Sequence, residues 1–240
     1  MYTLCDLVAK FVDKPPGSVR AVILHLRRAT ERDALVQALS TAIGGAEIVD
    51  AIDGGPLVAG GHPTECGMDP GVIRTVGEVG CMASHIAVYR QALLDGISHL
   101  IVFEDDCVPV EGCLGKVQEY LRRVKEFETT FDRKRIDEFL LFGTCGCYRS
   151  RSVGPGLKAT DHFNGSHAYM IGRPMMFAMI HSYLQFLVQG KTVPADGILP
   201  LLLQAEGLHA VCPEVDTALF AQNRAIPSYI VSEGTELRKD

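Results

Sequence analysis

No two cysteines of this chain form a CxxC pair, and no apolar run is long enough to span a bilayer. The closest approach among the eight cysteines is Cys145-Gly-Cys147, and nothing near it completes a zinc clip. A composition that is 47% hydrophobic supplies a core without disulfide staples. The most apolar stretch, residues 175–188, is interrupted by His181, Ser182 and Gln185. It falls short of the roughly 20 apolar residues of a membrane span and reads as a buried or half-buried helix. Residues 1–14 carry Asp6 and Asp13 and lack the apolar centre of an export signal. The expectation is therefore a cytoplasmic protein with free thiols, with peripheral membrane contact left open. A surplus of basic residues is also missing: the net charge of -6 argues against nucleic acid as a partner. Internal repeats and low-complexity tracts are absent.

What remains is an alternation of short apolar runs with helical patterns over 240 residues. Residues 1–18 read as a lead-in and 19–240 as one domain. Residues 19–26 form a buried strand. Thr30 stands as an N-cap for a helix carrying Ala34, Leu35, Ala38, Leu39 and Ala42, stopped by Gly44-Gly45. Residues 47–52 give a second strand, so the chain opens β-α-β. Residues 54–71 are Gly- and Pro-rich and read as a functional loop.

A helix over about 80–94 follows, then a strand over 100–103. Leu114, Val117, Leu121 and Val124 mark another helix, and strands are expected at 139–142, 168–171 and 209–212, with helices from Pro174 and near Asp196. Such alternation predicts an α/β fold with a mostly parallel central sheet flanked by helices on both faces.

The chemistry concentrates where the strand at 100–103 runs into Glu104-Asp105-Asp106. In open α/β sheets ligands bind at the carboxyl ends of strands. Adjacent carboxylates repel unless a cation offsets them, and oxygen donors suit Mg2+ or Mn2+. The alternative is a solvated acidic turn. A second cluster spans residues 77–85, with Gly77, Gly80, Ser84 and His85. Glycines before a helix leave room for an anionic ligand at its N-terminal amides. The alternative is a capped turn with a core histidine.

These two segments together resemble glycosyltransferase family 25, the lipooligosaccharide galactosyltransferases and their collagen galactosyltransferase relatives. The family pattern Gly-Glu-x-Gly-Cys-x-x-Ser-His is matched by residues 77–85, and its Glu-Asp-Asp by Glu104, Asp105 and Asp106. Leu24-His25-Leu26 and Arg32 stand at the family's first strand, with His25 in place of Asn. Ala51-Ile52-Asp53-Gly54, Gly165, Ala168-Tyr169, Pro194-Ala195-Asp196, Gln222 and Ser228 continue the match.

The resemblance implies a GT-A-like single domain and an inverting hexosyltransferase, galactose or glucose being the expected sugar. Its donor would be a UDP-sugar and its acceptor a glycan or glycolipid, as in lipopolysaccharide synthesis. It also implies Mn2+ or Mg2+ held by Asp106 and Glu104. Gly80, Ser84, His85, Glu104, Asp105 and Gln222 would line the donor site. Inversion needs a base for the acceptor hydroxyl, and Asp196 is the candidate, its alternative being a helix N-cap. Asp161 and His167 are the fallbacks. The competing readings are an inactive nucleotide-sugar-binding protein on the same fold, and a nucleotidyltransferase, which would want a Gly- and basic-rich loop early in the chain.

Overall fold

The computed structural model describes residues 2–15, 17–58, 76–131, 138–144, 146–189, 193–205, 209–214, 219–223 and 225. The expected lead-in contains a helix, α1 (Leu4–Phe11), opened by a capping box. Thr3 Oγ1 accepts from the Asp6 N–H at 3.1 Å, and the Asp6 carboxylate accepts from the Thr3 N–H at 2.9 Å. Leu4 and Val8 are fully buried.

Strand β1 (Val19–His25) leads through a single 3-10 turn, Thr30–Arg32, into α2 (Asp33–Ala42). Thr30 is therefore not the cap expected of it, since the helix starts three residues later without a side-chain cap. The buried stripe is Arg32, Val36, Leu39 and Ile43, rotated from the expected alanine stripe. Small residues at Ala34 and Ala38 tolerate exposure; the larger side chains take the core. Gly44 and Gly45, at φ +81° and +107°, end the helix as the sequence indicated.

Strand β2 (Glu47–Asp50) precedes a short helix, α3 (Gly54–Val58), at the start of the expected loop; residues 59–71 of that loop lie outside the described residues. Helix α4 (Val76–Leu94) starts four residues earlier than the periodicity suggested. Next come β3 (His99–Glu104), β4 (Cys107–Pro109), α5 (Cys113–Phe131) and β5 (Phe139–Gly143). Residues 143–165, for which the periodicity gives no element, hold four short strands: β6 (Gly146–Tyr148), β7 (Arg151–Gly154), β8 (Leu157–Thr160) and β9 (His162–Asn164). Strand β10 (Ala168–Gly172), α6 (Arg173–Val188), α7 (Ala195–Ala205), β11 (Ala210–Pro213) and β12 (Phe220–Gln222) complete the order.

The central sheet runs β2-β1-β3-β10-β5-β11-β8-β7. Its N-terminal strands β2, β1 and β3 are parallel, as β-α-β crossovers require. β10 then enters antiparallel between β3 and β5, and β7–β8 is a hairpin, so the far half is mixed. Strand residues alternate between two cores. Ala21, Ile23, Ile101 and Phe103 face α1, α2 and α5, whereas Val22, Leu24, Leu100 and Val102 face α4, α6 and α7. Helices thus cover both faces, as expected. No helix among the described residues is long and apolar enough to cross a membrane.

Candidate functional site

Glu104 ends β3, and Asp105 and Asp106 make the turn into β4. This turn lies at the carboxyl end of β3 in the parallel half-sheet, beside the carboxyl end of β1 and the first turns of α4, and β4 pairs with β12 in a separate two-stranded sheet. The cleft there is lined by Leu24, Leu26, Arg28, Arg32, Ala51, Ile52, Asp53, Gly54, Gly77, Cys81, Ser84, His85 and all three acids. A larger groove between α1 and α5 carries none of the sequence-predicted residues.

The three carboxylates have separate surroundings. Asp105 is buried and spoken for: Arg32 Nη1 donates to Oδ1, His25 Nδ1 lies 3.2 Å from Oδ2, and the Leu26 N–H points at Oδ2 from 3.4 Å. Through Nδ1 the histidine standing in for asparagine keeps a polar contact to the triplet, while its Nε2 reaches Asp33 Oδ1 at 2.8 Å. Asp105 therefore acts as an anchor between β3 and the β1–α2 turn. Its expected place on the donor is taken by protein groups.

Asp106 is different. Gln222 Nε2 donates to its Oδ2 at 3.1 Å, and its main-chain carbonyl accepts from Asn223 N at 2.8 Å. Its Oδ1 is buried without a hydrogen-bond partner among the described residues. Burial, and then the charge of Glu104, push its carboxyl up to about 6. Gln222 thus positions Asp106 from β12, and it does not itself line the cleft. Ser228 lies outside the described residues.

On α4, Ser84 Oγ accepts from the Ile52 N–H at 2.8 Å and donates to the Gly80 carbonyl at 2.7 Å. It ties the helix to the segment after β2 while lining the cleft. Gly80 lies inside the helix and outside the cleft. A Cβ there would stand 2.5 Å from the Ile52 carbonyl oxygen and 2.6 Å from the Gly54 nitrogen, so the glycine permits a close backbone approach. Its expected donor role is replaced by a packing role.

His85 is 1% exposed; its Nδ1 pairs with the Tyr169 hydroxyl at 2.6 Å, and Tyr169 pairs in turn with Tyr89. Cys81 sits one turn before it. Burial, then the charges of Glu104, Asp196, Asp106 and Glu78, push its thiol well up.

That list of charges places Asp196 within electrostatic reach of Cys81, although Asp196 does not line the cleft. Asp196 is the second residue of α7, and its Oδ2 accepts from the Gly165 N–H at 3.2 Å. It is not the N-cap. His167 is buried with Nε2 3.3 Å from the Phe220 carbonyl, and lies outside the cleft lining.

Four charged or thiol side chains line the cleft without having been given a site role from the sequence: Arg28, Arg32, Asp53 and Cys81. The Arg27-Arg28 pair directly after β1, at a strand's carboxyl end, was the available signal. Arg28 Nε donates to Asp53 Oδ2 at 2.8 Å. Two arginines therefore meet two of the four cleft carboxylates, Asp53 and Asp105. Among the described residues the ion pairs of Arg28 and Arg32 are with Asp53 and Asp105 rather than with Glu104 and Asp106, which fits a site for a hard divalent cation at the latter two.

Residues 21–185 match the family described as Glycosyltransferase family 25 (LPS biosynthesis protein). The chain is also similar to a Bos taurus protein named "Probable inactive glycosyltransferase 25 family member 3", 28% identical over 120 residues, 46% of this chain and 20% of that protein. A Mus musculus protein named "Inactive glycosyltransferase 25 family member 3" is 30% identical over 115 residues, 42% of this chain and 19% of that protein. The matched segments thus span about a fifth of those relatives. With the family pattern covering more than half of the chain, this protein belongs to glycosyltransferase family 25.

Proposed function

We propose that this chain is an inverting glycosyltransferase that moves a hexose, galactose or glucose, from a UDP-sugar to a hydroxyl of a glycan or glycolipid acceptor. The observation that carries the reading is Asp106 Oδ1, a buried carboxylate oxygen with no hydrogen-bond partner among the described residues, beside Glu104 at the end of β3. Glu104 and Asp106 are the residues that would hold Mn2+ or Mg2+. A bound ion of this kind supplies charge neutralisation for a departing diphosphate.

The chain's own residues do the rest. Gln222 and Asn223 hold Asp106 in place, and Asp105 with Arg32 fixes the turn that carries it. Ser84 and His85 face the donor from α4. Asp196, apart from the triplet, takes the acceptor proton as the new C–O bond forms.

The decisive measurement is UDP release and product formation with each UDP-sugar, with and without Mn2+. Transfer that is abolished by EDTA and by Asp106→Asn, in a variant that keeps its melting temperature, supports the reading. Full activity in excess EDTA would discard the metal. NMR of the product should show the inverted anomer.

A second reading, a nucleotide-sugar-binding protein without turnover, is favoured by the word "inactive" in the names of both mammalian relatives. Calorimetry separates the two: donor binding with neither transfer nor hydrolysis would select the second.

A further inference from the structure

His85 carries a loose end that the sugar-transfer reading does not use. Its Nδ1 is engaged by Tyr169, yet its Nε2 is buried without a hydrogen-bond partner among the described residues. Glu104 Oε1 stands 3.6 Å away, beyond a hydrogen bond. Native structures leave few such nitrogens, and each asks for an explanation.

Cys81 and His85 are four residues apart on α4 and share one face of the helix. The Cys81 Sγ, a His85 ring nitrogen and a Glu104 carboxylate oxygen all lie within 4.8 Å of one another. We propose that these three side chains form a site for a thiophilic divalent ion of the zinc type, distinct in chemistry from the oxygen-only pair Glu104 and Asp106.

Thiolate and imidazole are donors that select zinc over magnesium or manganese. Bonds of about 2.0–2.3 Å put ligand atoms about 3.3–3.8 Å apart around a tetrahedral ion, so closing the group takes roughly an ångström of side-chain movement. In the tautomer whose Nδ1–H donates to the Tyr169 hydroxyl, the Nε2 lone pair is left for the ion. A metal-bound imidazole commonly has its other nitrogen held in this way. On binding, the Cys81 thiol releases its proton to solvent. Three protein ligands leave a fourth position. It opens to the cleft, because Glu104 is part-exposed and both Cys81 and Glu104 line it. Water or an anionic oxygen would fill that position. The site does not depend on sugar transfer.

Titrating the metal-free full chain with Co2+, without any sugar nucleotide, tests the proposal directly. The expected result is one equivalent bound with a thiolate-to-cobalt charge-transfer band that Zn2+ bleaches. Cys81→Ser should abolish the band, whereas Asp106→Asn and Cys147→Ser should keep it. No band in the parent, or a band that survives Cys81→Ser, would overturn the site, as would loss of the band in Cys147→Ser. Because the readout needs neither donor nor acceptor, its failure leaves the UDP-release assay untouched, and the converse holds.

Discussion

At the residue scale, three adjacent carboxylates of one chemistry have three fates. Asp105 is matched by Arg32 and His25, Asp106 is held by Gln222 with one oxygen bare, and Glu104 leans toward His85. Taking Arg32 away strands the Asp105 charge in the interior. Arg32→Met should therefore cost about 3–5 kcal/mol in urea unfolding, and the paired variant Arg32→Met/Asp105→Leu should recover much of it. A cost below about 1 kcal/mol would mean that water already screens the pair. Gly80 makes the opposite point about packing. Gly80→Ala forces a Cβ against the Ile52 carbonyl and should lower stability by about 1–3 kcal/mol, while the folded fraction keeps its UDP affinity. Weakened UDP binding at unchanged melting temperature would restore Gly80 to the donor site.

At the scale of elements, α7 presents Asp196 and β6 presents Cys147. If Asp196 is the base, Asp196→Asn should keep donor affinity and lower turnover about 10²–10⁴-fold. Near-normal turnover would reduce it to a tether for the Gly165 N–H. The hairpin region that the sequence left without strands brings Cys147 Sγ to 3.0 Å from Cys212 Sγ, joining β6 to β11. The Cys212 S–H holds the Cys147 thiol below its ordinary range, and the same contact pushes Cys212 up. None of the described cysteines is joined in a disulfide. Mild oxidant should nonetheless join this pair before any other, seen as a mass loss of about two hydrogens and mapped by peptide mass spectrometry. Modification of Cys5 or Cys81 ahead of it would show that the two thiols do not meet in solution.

At the scale of the whole molecule, α1 is part of the core on the α2–α5 face of the sheet. Each fully buried side chain there is worth about 1.5–3 kcal/mol, and Leu4 and Val8 alone are a large part of a domain's marginal stability. A chain starting at Val19 should lose its cooperative thermal transition or aggregate. Retention of the parent melting temperature would mean that α1 adds little.

The apolar strands β1, β3, β5 and β10 were legible because burial on both faces leaves a local, continuous signature. The acidic triplet was legible for the same reason, since a buried strand that stops in charge must stop at a sheet edge. By itself the sequence therefore determined the α/β class and the acidic triplet at the end of β3, with Ser84 and His85 beside it in the cleft. The short strands β6 to β9 carry too few residues for a period to register, and Gly77 and Gly80 obscure the helix onset at Val76. Which carboxylate is free was a tertiary matter. Arg32 meets Asp105 across 73 positions, and Gln222 meets Asp106 across 116. Charges of equal kind are distinguished only by partners that folding brings from far along the chain, and no local pattern records such distances.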